Sequence, residues 1–254
     1  MPSQRPRVLL FDIGGVCVVS PFQAILDYEK EQNIPVGYIN FGIRELTPHG
    51  SWHKLERGEI KNDEHFMKAW KADLERRDIW AKFHKERLNT TSEPKEIPNI
   101  DTEKLYWTMM STARVNDPYM YPALKKLKAS GQFHLAAMSN TTVFPDGHEF
   151  NNRTGDDDVR DVFEIFVSSA HIGMRKPNRD IYDYTLGQIR DRWGSDIQPE
   201  DIVFVDDIGE NLKTGKKVGF QTIRVFLGKT KDAVKQLEEK TGLQLLEEPA
   251  KARL

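Results

Sequence analysis

The hydrophobic positions of this chain fall into short unbroken runs, separated by longer stretches with amphipathic spacing. The first run, Val8-Leu9-Leu10-Phe11, is too short for a helix and stops abruptly at Asp12, before Gly14 and Gly15. Runs of roughly four to eight apolar residues closed by a turn signal read as buried strands of a parallel sheet. The pattern recurs at residues 133–138, ending in Ser139-Asn140, at 163–169, at 202–205, ending in Asp206-Asp207, and at 221–226. Helical spacing fills the intervals. Residues 122–130 predict a helix with Leu124 and Leu127 inward and Gly131 as its stop. Asn178 predicts the cap of a helix with Ile181, Tyr184 and Ile189 on one face. A helix from about Glu210 ends at Gly219, and one around Val234 and Leu237 ends at Gly242.

Between the first and second strands the pattern is helical and irregular, with almost no strand signal. Ser20-Pro21 supplies an N-cap followed by proline at the first helical position, with Phe22, Ile25 and Leu26 as the apolar face. Residues 55–60, Leu-Glu-Arg-Gly-Glu-Ile, read as a turn. Asn62 or Asp63 then caps a helix carrying Phe66, Met67 and Trp70. Residues 89–101 read as an exposed loop, residues 151–161 as a polar loop with a short helix, and the tail beyond Glu247 as mobile. Strands alternating with helices predict an α/β fold, a parallel sheet covered on both faces. A helical insert accounts for residues 20–117.

Composition narrows the function classes. The 254 residues carry a formal net charge of −2 with 30% charged side chains, which is no nucleic-acid footprint. No window reaches the roughly 18 apolar residues of a membrane span. The polar start, Met1 to Pro6, runs straight into a core strand and has no signal-peptide character. The lone Cys17 forms no internal disulfide, which fits a reducing compartment. A cytoplasmic protein is expected, and the Asn-x-Thr triplets at Asn89, Asn140 and Asn152 then carry no meaning.

Chemistry collects at the strand ends. Asp12, Ser139, the loop holding Lys176, and the pair Asp206-Asp207 would share one edge of a parallel sheet, where open α/β folds bind ligands. Each has a bland reading alone, as a helix cap, a turn or surface. Two adjacent acids beside a buried strand, however, repel unless a cation or donors compensate. Together the residue types suit phosphoryl transfer. A carboxylate can attack phosphorus and form an aspartyl-phosphate. A magnesium ion can hold clustered carboxylates and phosphate together. A hydroxyl and a lysine can neutralise phosphoryl oxygens.

Five segments resemble, in order, motifs of the haloacid dehalogenase superfamily: Phe-Asp-Ile-Gly-Gly-Val, Leu-Glu-Arg-Gly-Glu-Ile, Ser-Asn-Thr, Gly-Met-Arg-Lys-Pro and Val-Asp-Asp-Ile-Gly-Glu-Asn-Leu. They span Arg7 to about Val225. Within the superfamily the chain looks like the phosphatase domain of soluble epoxide hydrolases and related sugar-phosphatase-like proteins. The resemblance implies a Rossmann-like core (residues 1–18 and 118–254) with an inserted helical cap (residues 19–117). It implies Asp12 as nucleophile, Ser139 and Asn140 at the phosphate, and Lys176 orienting both. Asp12, Asp207 and the Gly14 carbonyl would hold Mg2+, with Asp206 and Asn211 supporting. The implied activity is a phosphatase acting on a small phosphorylated metabolite; epoxide hydrolysis is not implied.

One position departs from the pattern. The usual first motif is Asp-x-Asp, whose second acid protonates the leaving group and later activates water; here that position is Gly14. The general acid–base contribution is roughly 10²–10⁴-fold. A leaving group that departs easily, such as an anomeric hydroxyl or an acyl group, needs less of it. A cap residue such as His49 or His53 could also supply the proton, and Trp52, His53 and Arg57 are candidates for selectivity. A weakened binding or regulatory protein and a metal-independent dehalogenase remain as alternatives. A nucleotide-binding protein lacks its glycine-rich loop here.

Overall fold

The three innermost apolar runs become strands buried on both faces at once, and the two outer runs pair at the edges with one face partly open. The computed structural model describes residues 5–90, 96–152, 155 and 157–247. Among them β1 (Val8–Phe11), β2 (His134–Ser139), β3 (Ile165–Ser168), β4 (Ile202–Asp206) and β5 (Gln221–Arg224) pair in parallel, in the order β3-β2-β1-β4-β5. Alternate side chains of β1 serve opposite cores. Leu9 and Phe11 pack with Leu124 and Leu127 of α7 (Met120–Ser130) and Val234 and Leu237 of α11 (Thr230–Thr241). Val8 and Leu10 pack with Ile181 and Ile189 of α9 (Arg179–Trp193) and Leu212 of α10 (Gly209–Val218). The chain steps outward from β1 to β2 and β3, then returns to β4 on the other side. That reversal opens a crevice at the carboxyl ends of β1 and β4, where Phe11 pairs with Val205.

The stretch between β1 and α7 is helical: α1 (Pro21–Glu31), α2 (Tyr38–Glu45), α3 (Ser51–Glu56), α4 (Glu64–Leu74), α5 (Arg77–Arg87) and α6 (Thr102–Thr112). Its starts are set by local polar chemistry. Ser20 Oγ accepts from Phe22 N at 3.2 Å, Asp63 Oδ1 from Phe66 N at 3.0 Å and Asp101 Oδ1 from Lys104 N at 2.9 Å. The buried Glu29 carboxylate accepts from Gly37 N and Ile39 N at 2.6 and 2.8 Å, satisfying the start of α2. These helices close over an apolar cluster of their own, centred on Tyr38, Phe66, Trp70 and Tyr106, all 1% exposed or less. The chain leaves and re-enters the sheet region side by side: Val19 N donates to Val115 O at 2.8 Å and Asp117 N to Cys17 O at 3.0 Å.

The stretch also docks at a second place. Gly58 turns with φ +66°, and a Cβ built on it would stand 2.2 Å from the Ala170 carbonyl oxygen. Beside it, Ser169 Oγ, at the start of α8 (Ser169–Ile172), donates to Glu56 O at 2.6 Å. Only glycine permits both the conformation and the approach.

Several expected details differ. The helix α3 reaches Glu56, so the turn begins at Arg57 and not at Leu55. On α9 the inward stripe is Ile181, Tyr182, Thr185, Leu186 and Ile189; it leans away from Tyr184, which is exposed. Leu26 is only half-buried, the face of α1 being completed by Ala24 and Tyr28. β5 stops at Arg224, and Phe226 lies exposed with the Arg224 guanidinium 4.6 Å from its ring. Parts of the expected loops at 89–101 and 151–161, residues 1–4 of the expected polar start, and the tail beyond Glu247 lie outside the described residues. No described helix is long and apolar enough to cross a membrane.

Gly58 and Gly131 share a left-handed conformation, but nothing lies within 4 Å of a Cβ at Gly131. Gly131→Ala should therefore cost about 1–2 kcal/mol, and Gly58→Ala clearly more, because it also forces the turn off Ala170. Denaturant unfolding of the two variants measures the difference.

Candidate functional site

Four chain segments deliver polar groups to the crevice, and a buried lysine ties them together. Asp12 directly follows β1, its amide donating to Val205 O at 2.8 Å, and is 7% exposed. Lys176 Nζ lies 2.9 Å from Asp12 Oδ1 and 2.6 Å from Asp206 Oδ2. The lysine is 1% exposed and Asp206 is fully buried. Burial opposes the charge on Lys176, but the two carboxylates outweigh it and hold the ammonium above the ordinary lysine range.

The loop before α9 holds Lys176 in place through a neighbouring strand end. Asn140, just past β2, accepts from Lys176 N through Oδ1 at 2.8 Å and donates from Nδ2 to Lys176 O at 3.1 Å. Its side chain is thus spent on the lysine's backbone. Ser139 is buried beside it, and its hydroxyl makes only a long 3.4 Å contact to Asn140 O.

The two acids after β4 differ sharply. Asp206 is crowded with donors: Asn211 Nδ2 at 3.0 and 3.1 Å and Ile208 N at 2.8 Å, besides Lys176. Asp207 Oδ1 is buried with no partner. Burial first, then the charges of Asp12 and Asp206, push Asp207 up to about 8. An unpartnered buried carboxylate oxygen is costly unless a cation faces it. Asp12, Asp206 and Asp207 each offer an oxygen, all within 4.8 Å of one another. Such an all-oxygen, surplus-negative set suits a hard divalent cation.

The glycines of the first motif differ as well. Gly15 has φ +75°, and a Cβ there would lie 2.6 Å from Asp207 Oδ2 and 3.0 Å from Ser20 Oγ. Its bareness is what lets Asp207 approach the first strand. Gly14 lines the same cleft, where a Cβ would meet only the Pro21 ring, at 3.4 and 3.6 Å.

The helical stretch roofs this floor, leaving a cleft of about 1610 Å³ between them. Glu56, at the end of α3, pairs with Arg175 through Nε and Nη2, both at 2.7 Å from Oε2. Burial raises the Glu56 carboxyl even against that guanidinium. The pair clamps the roof to the residue preceding Lys176. Sequence reasoning missed this contact, because Glu56 and Arg175 each lay in a noted segment with nothing to connect them. Of the two candidate histidines, His49 is exposed and is not a cleft residue. His53 lines the cleft, buried, with Nε2 3.0 Å from Thr47 Oγ1. Burial, then the charges of Arg175 and Arg57, lower it to about 4. Trp52 and Arg57 are both partly buried; Trp52 lines the cleft, whereas Arg57 turns to Glu59, 2.6 Å away.

Comparison with known proteins gives a consistent picture. A family model described as haloacid dehalogenase-like hydrolase matches residues 6–219. The chain is 27% identical to mouse acyl-CoA dehydrogenase family member 10 over 94% of its own length and 19% of that protein. It is 26% identical to pig bifunctional epoxide hydrolase 2 over 96% of its length and 40% of that enzyme. It therefore spans well under half of these relatives. It is also 24% identical to D-ribitol-5-phosphate phosphatase from Bacteroides thetaiotaomicron, covering 85% of this chain and 90% of that one. A predicted HAD-like family hydrolase from Porphyromonas gingivalis shares the fold, with a TM-score of 0.54 at 20% identity, over 92% of this chain and 98% of that one.

His53 generates a pH prediction. Its ordinary value is 6.5, and in the folded protein it is about 4. As pH falls through 6.5 the unfolded chain takes up a proton that the folded one refuses, so stability should decline from about pH 6.5 toward 4. Above that window His53 contributes nothing to the pH dependence. His53→Gln should flatten this acid limb, as read from urea midpoints between pH 7.5 and 4.5.

Proposed function

The chain belongs to the haloacid dehalogenase-like hydrolase family, and from that premise we propose that it is a magnesium-dependent phosphatase working through an aspartyl-phosphate on Asp12. The observation that supports this most is the Lys176 ammonium held between Asp12 and Asp206, with the unpartnered Asp207 oxygen in the same cluster. A halide-removing carboxylate has no use for two further acids. A phosphate dianion brought to Asp12 has every use for a cation among them. The similarity to a phosphatase from Bacteroides points the same way.

On this reading Asp12 attacks phosphorus, and the bond's electron pair leaves with the departing oxygen. Lys176 fixes the attacking carboxylate and balances charge on the phosphoryl oxygens. Ser139 and the backbone around Asn140 receive the phosphate, while the Asn140 side chain keeps the lysine loop in register. Asp12, Asp207 and the Gly14 carbonyl would hold magnesium, which when bound offsets the negative charge gathered at the phosphoryl group. Asp206 and Asn211 set the lysine and the loop after β4. Residues 19–117 act as a cap over a core made of residues 1–18 and 118–254, and close the cleft over a small phosphorylated substrate.

Phosphate release from a panel of phosphorylated compounds should require magnesium and disappear with a chelator. Asp12→Asn should lower it by at least about 10³-fold while leaving the fold intact, as read from far-ultraviolet circular dichroism. Beryllium fluoride with magnesium should raise the melting temperature of the wild type and not of Asp12→Asn. A wild-type protein inactive across the panel would refute the proposal.

A further inference from the structure

Glu56 belongs to the roof, yet both its backbone and its side chain bond to the floor. Its carbonyl oxygen accepts from Ser169 Oγ at 2.6 Å, and that hydroxyl in turn accepts from Thr141 N at 2.8 Å. A serine hydroxyl has one hydrogen to give, and the Glu56 carbonyl takes it. The Glu56 carboxylate accepts from Nε and Nη2 of Arg175, both at 2.7 Å. Thr141 directly follows Asn140, and Arg175 directly precedes Lys176. Asn140 closes the gap between them by bonding to the amide and the carbonyl of Lys176 at 2.8 and 3.1 Å.

These contacts form a closed circuit. From the Glu56 carbonyl it runs through Ser169 to Thr141 and Asn140, crosses to Lys176, steps back to Arg175 and returns to the Glu56 carboxylate. Every link is a hydrogen bond or one step along the chain. Ser169 is fully buried, Lys176 is 1% exposed and Glu56 8%, so water is poorly placed to mend a broken link. Gly58, packed against Ala170, keeps the turn after α3 in place beside the circuit. Ser168, which precedes Ser169, pairs with Ser139 in the β2–β3 register, so both strand ends are tied in.

We infer that Glu56 is a positioning residue for the reaction. Through Arg175 it fixes Lys176 against Asp12, and through Ser169 it fixes the loop that follows Ser139. The inference rests on the phosphatase reading. Glu56 acts through these partners and not on the reacting atoms. Its place in the roof gives the circuit a consequence: lifting the turn after α3 off the floor would release the lysine loop as well. Full alignment of Lys176 with Asp12 therefore requires that turn to be docked. A displacement of about 1 Å at such a group costs up to about 10²-fold in rate.

The test compares Glu56→Gln, Ser169→Ala and Asp63→Ala with the wild type, on acetyl phosphate and p-nitrophenyl phosphate with magnesium. Glu56→Gln removes the charge that holds Arg175 and keeps the side-chain volume, whereas Ser169→Ala opens the circuit at an uncharged link. Each should lower kcat about 10²-fold and change KM by less than about 3-fold, the mark of a contact that counts in the transition state. Should Glu56→Gln fail to fold, Ser169→Ala carries the same expectation. Asp63→Ala loosens the start of α4, elsewhere in the helical stretch, and should leave kcat unchanged. Amide hydrogen exchange followed by NMR needs no substrate. In Glu56→Gln the Thr141 and Lys176 amides should exchange about 10-fold faster or more, relative to those of β4, and in Asp63→Ala they should not. A kcat within about 3-fold of wild type in both circuit variants would overturn the inference and leave the phosphatase reading intact. So would an equal loss in Asp63→Ala, which would mark a general loosening of the helices. A wild type inactive on both probes and across the wider panel would remove the phosphatase reading. Faster exchange would then still uphold Glu56 as the residue that holds the lysine loop, and unchanged exchange would overturn it.

Discussion

The structure depends on one buried ammonium. Lys176 lies where three carboxylates converge, and without it Asp12 and Asp206 would face each other across the carboxyl ends of adjacent strands. Losing one partner of a buried ion pair costs roughly 3–5 kcal/mol, because the other charge is left stranded. That constraint fixes the loop before α9, and Asn140 holds the same loop by gripping both backbone groups of the lysine. It also leaves a deficit. One ammonium cannot neutralise three acids, and Asp207, the one without donors on Oδ1, is where the deficit falls. The protein thus carries a standing demand for positive charge at the floor of the cleft.

Much of this was legible in the sequence because it lies at strand ends, and strand ends are marked by where apolar runs stop. The runs ending at Asp12, Ser139 and Asp206 became β1, β2 and β4, with those residues on one edge of the sheet. A parallel order could then bring them together without any knowledge of loop paths. The Glu56–Arg175 clamp was not legible, since a contact between residues 119 apart has no local signature. Tyr184 was misplaced for another reason: a stripe two residues wide can lean either way, and only the neighbouring helix decides. The roles of the two glycines could not be told apart either. Gly15 is required by an acid nearly two hundred residues later, whereas Gly14 is crowded only by the proline that starts α1.

The family relation and the geometry answer different questions. The family supplies a hydrolase, and the relatives it groups together include proteins more than twice the length of this chain. The cleft is specific to this sequence. Its floor is set by charge balance and tolerates little change, while its roof is built from α1, α2, α3, α5 and α6, where apolar packing permits many substitutions of similar volume.

The paired crossing at residues 17–19 and 115–117 has a consequence for how such a molecule can change over time. A long stretch whose two ends lie side by side can be lengthened, shortened or exchanged without altering the register of any strand. Selection on what enters the cleft can therefore act on one half of the molecule while the other half keeps its clustered acids in place. The two histories need not run at the same pace. The residues of the crossing itself, Cys17, Val19, Val115 and Asp117, are where they would first have to be reconciled.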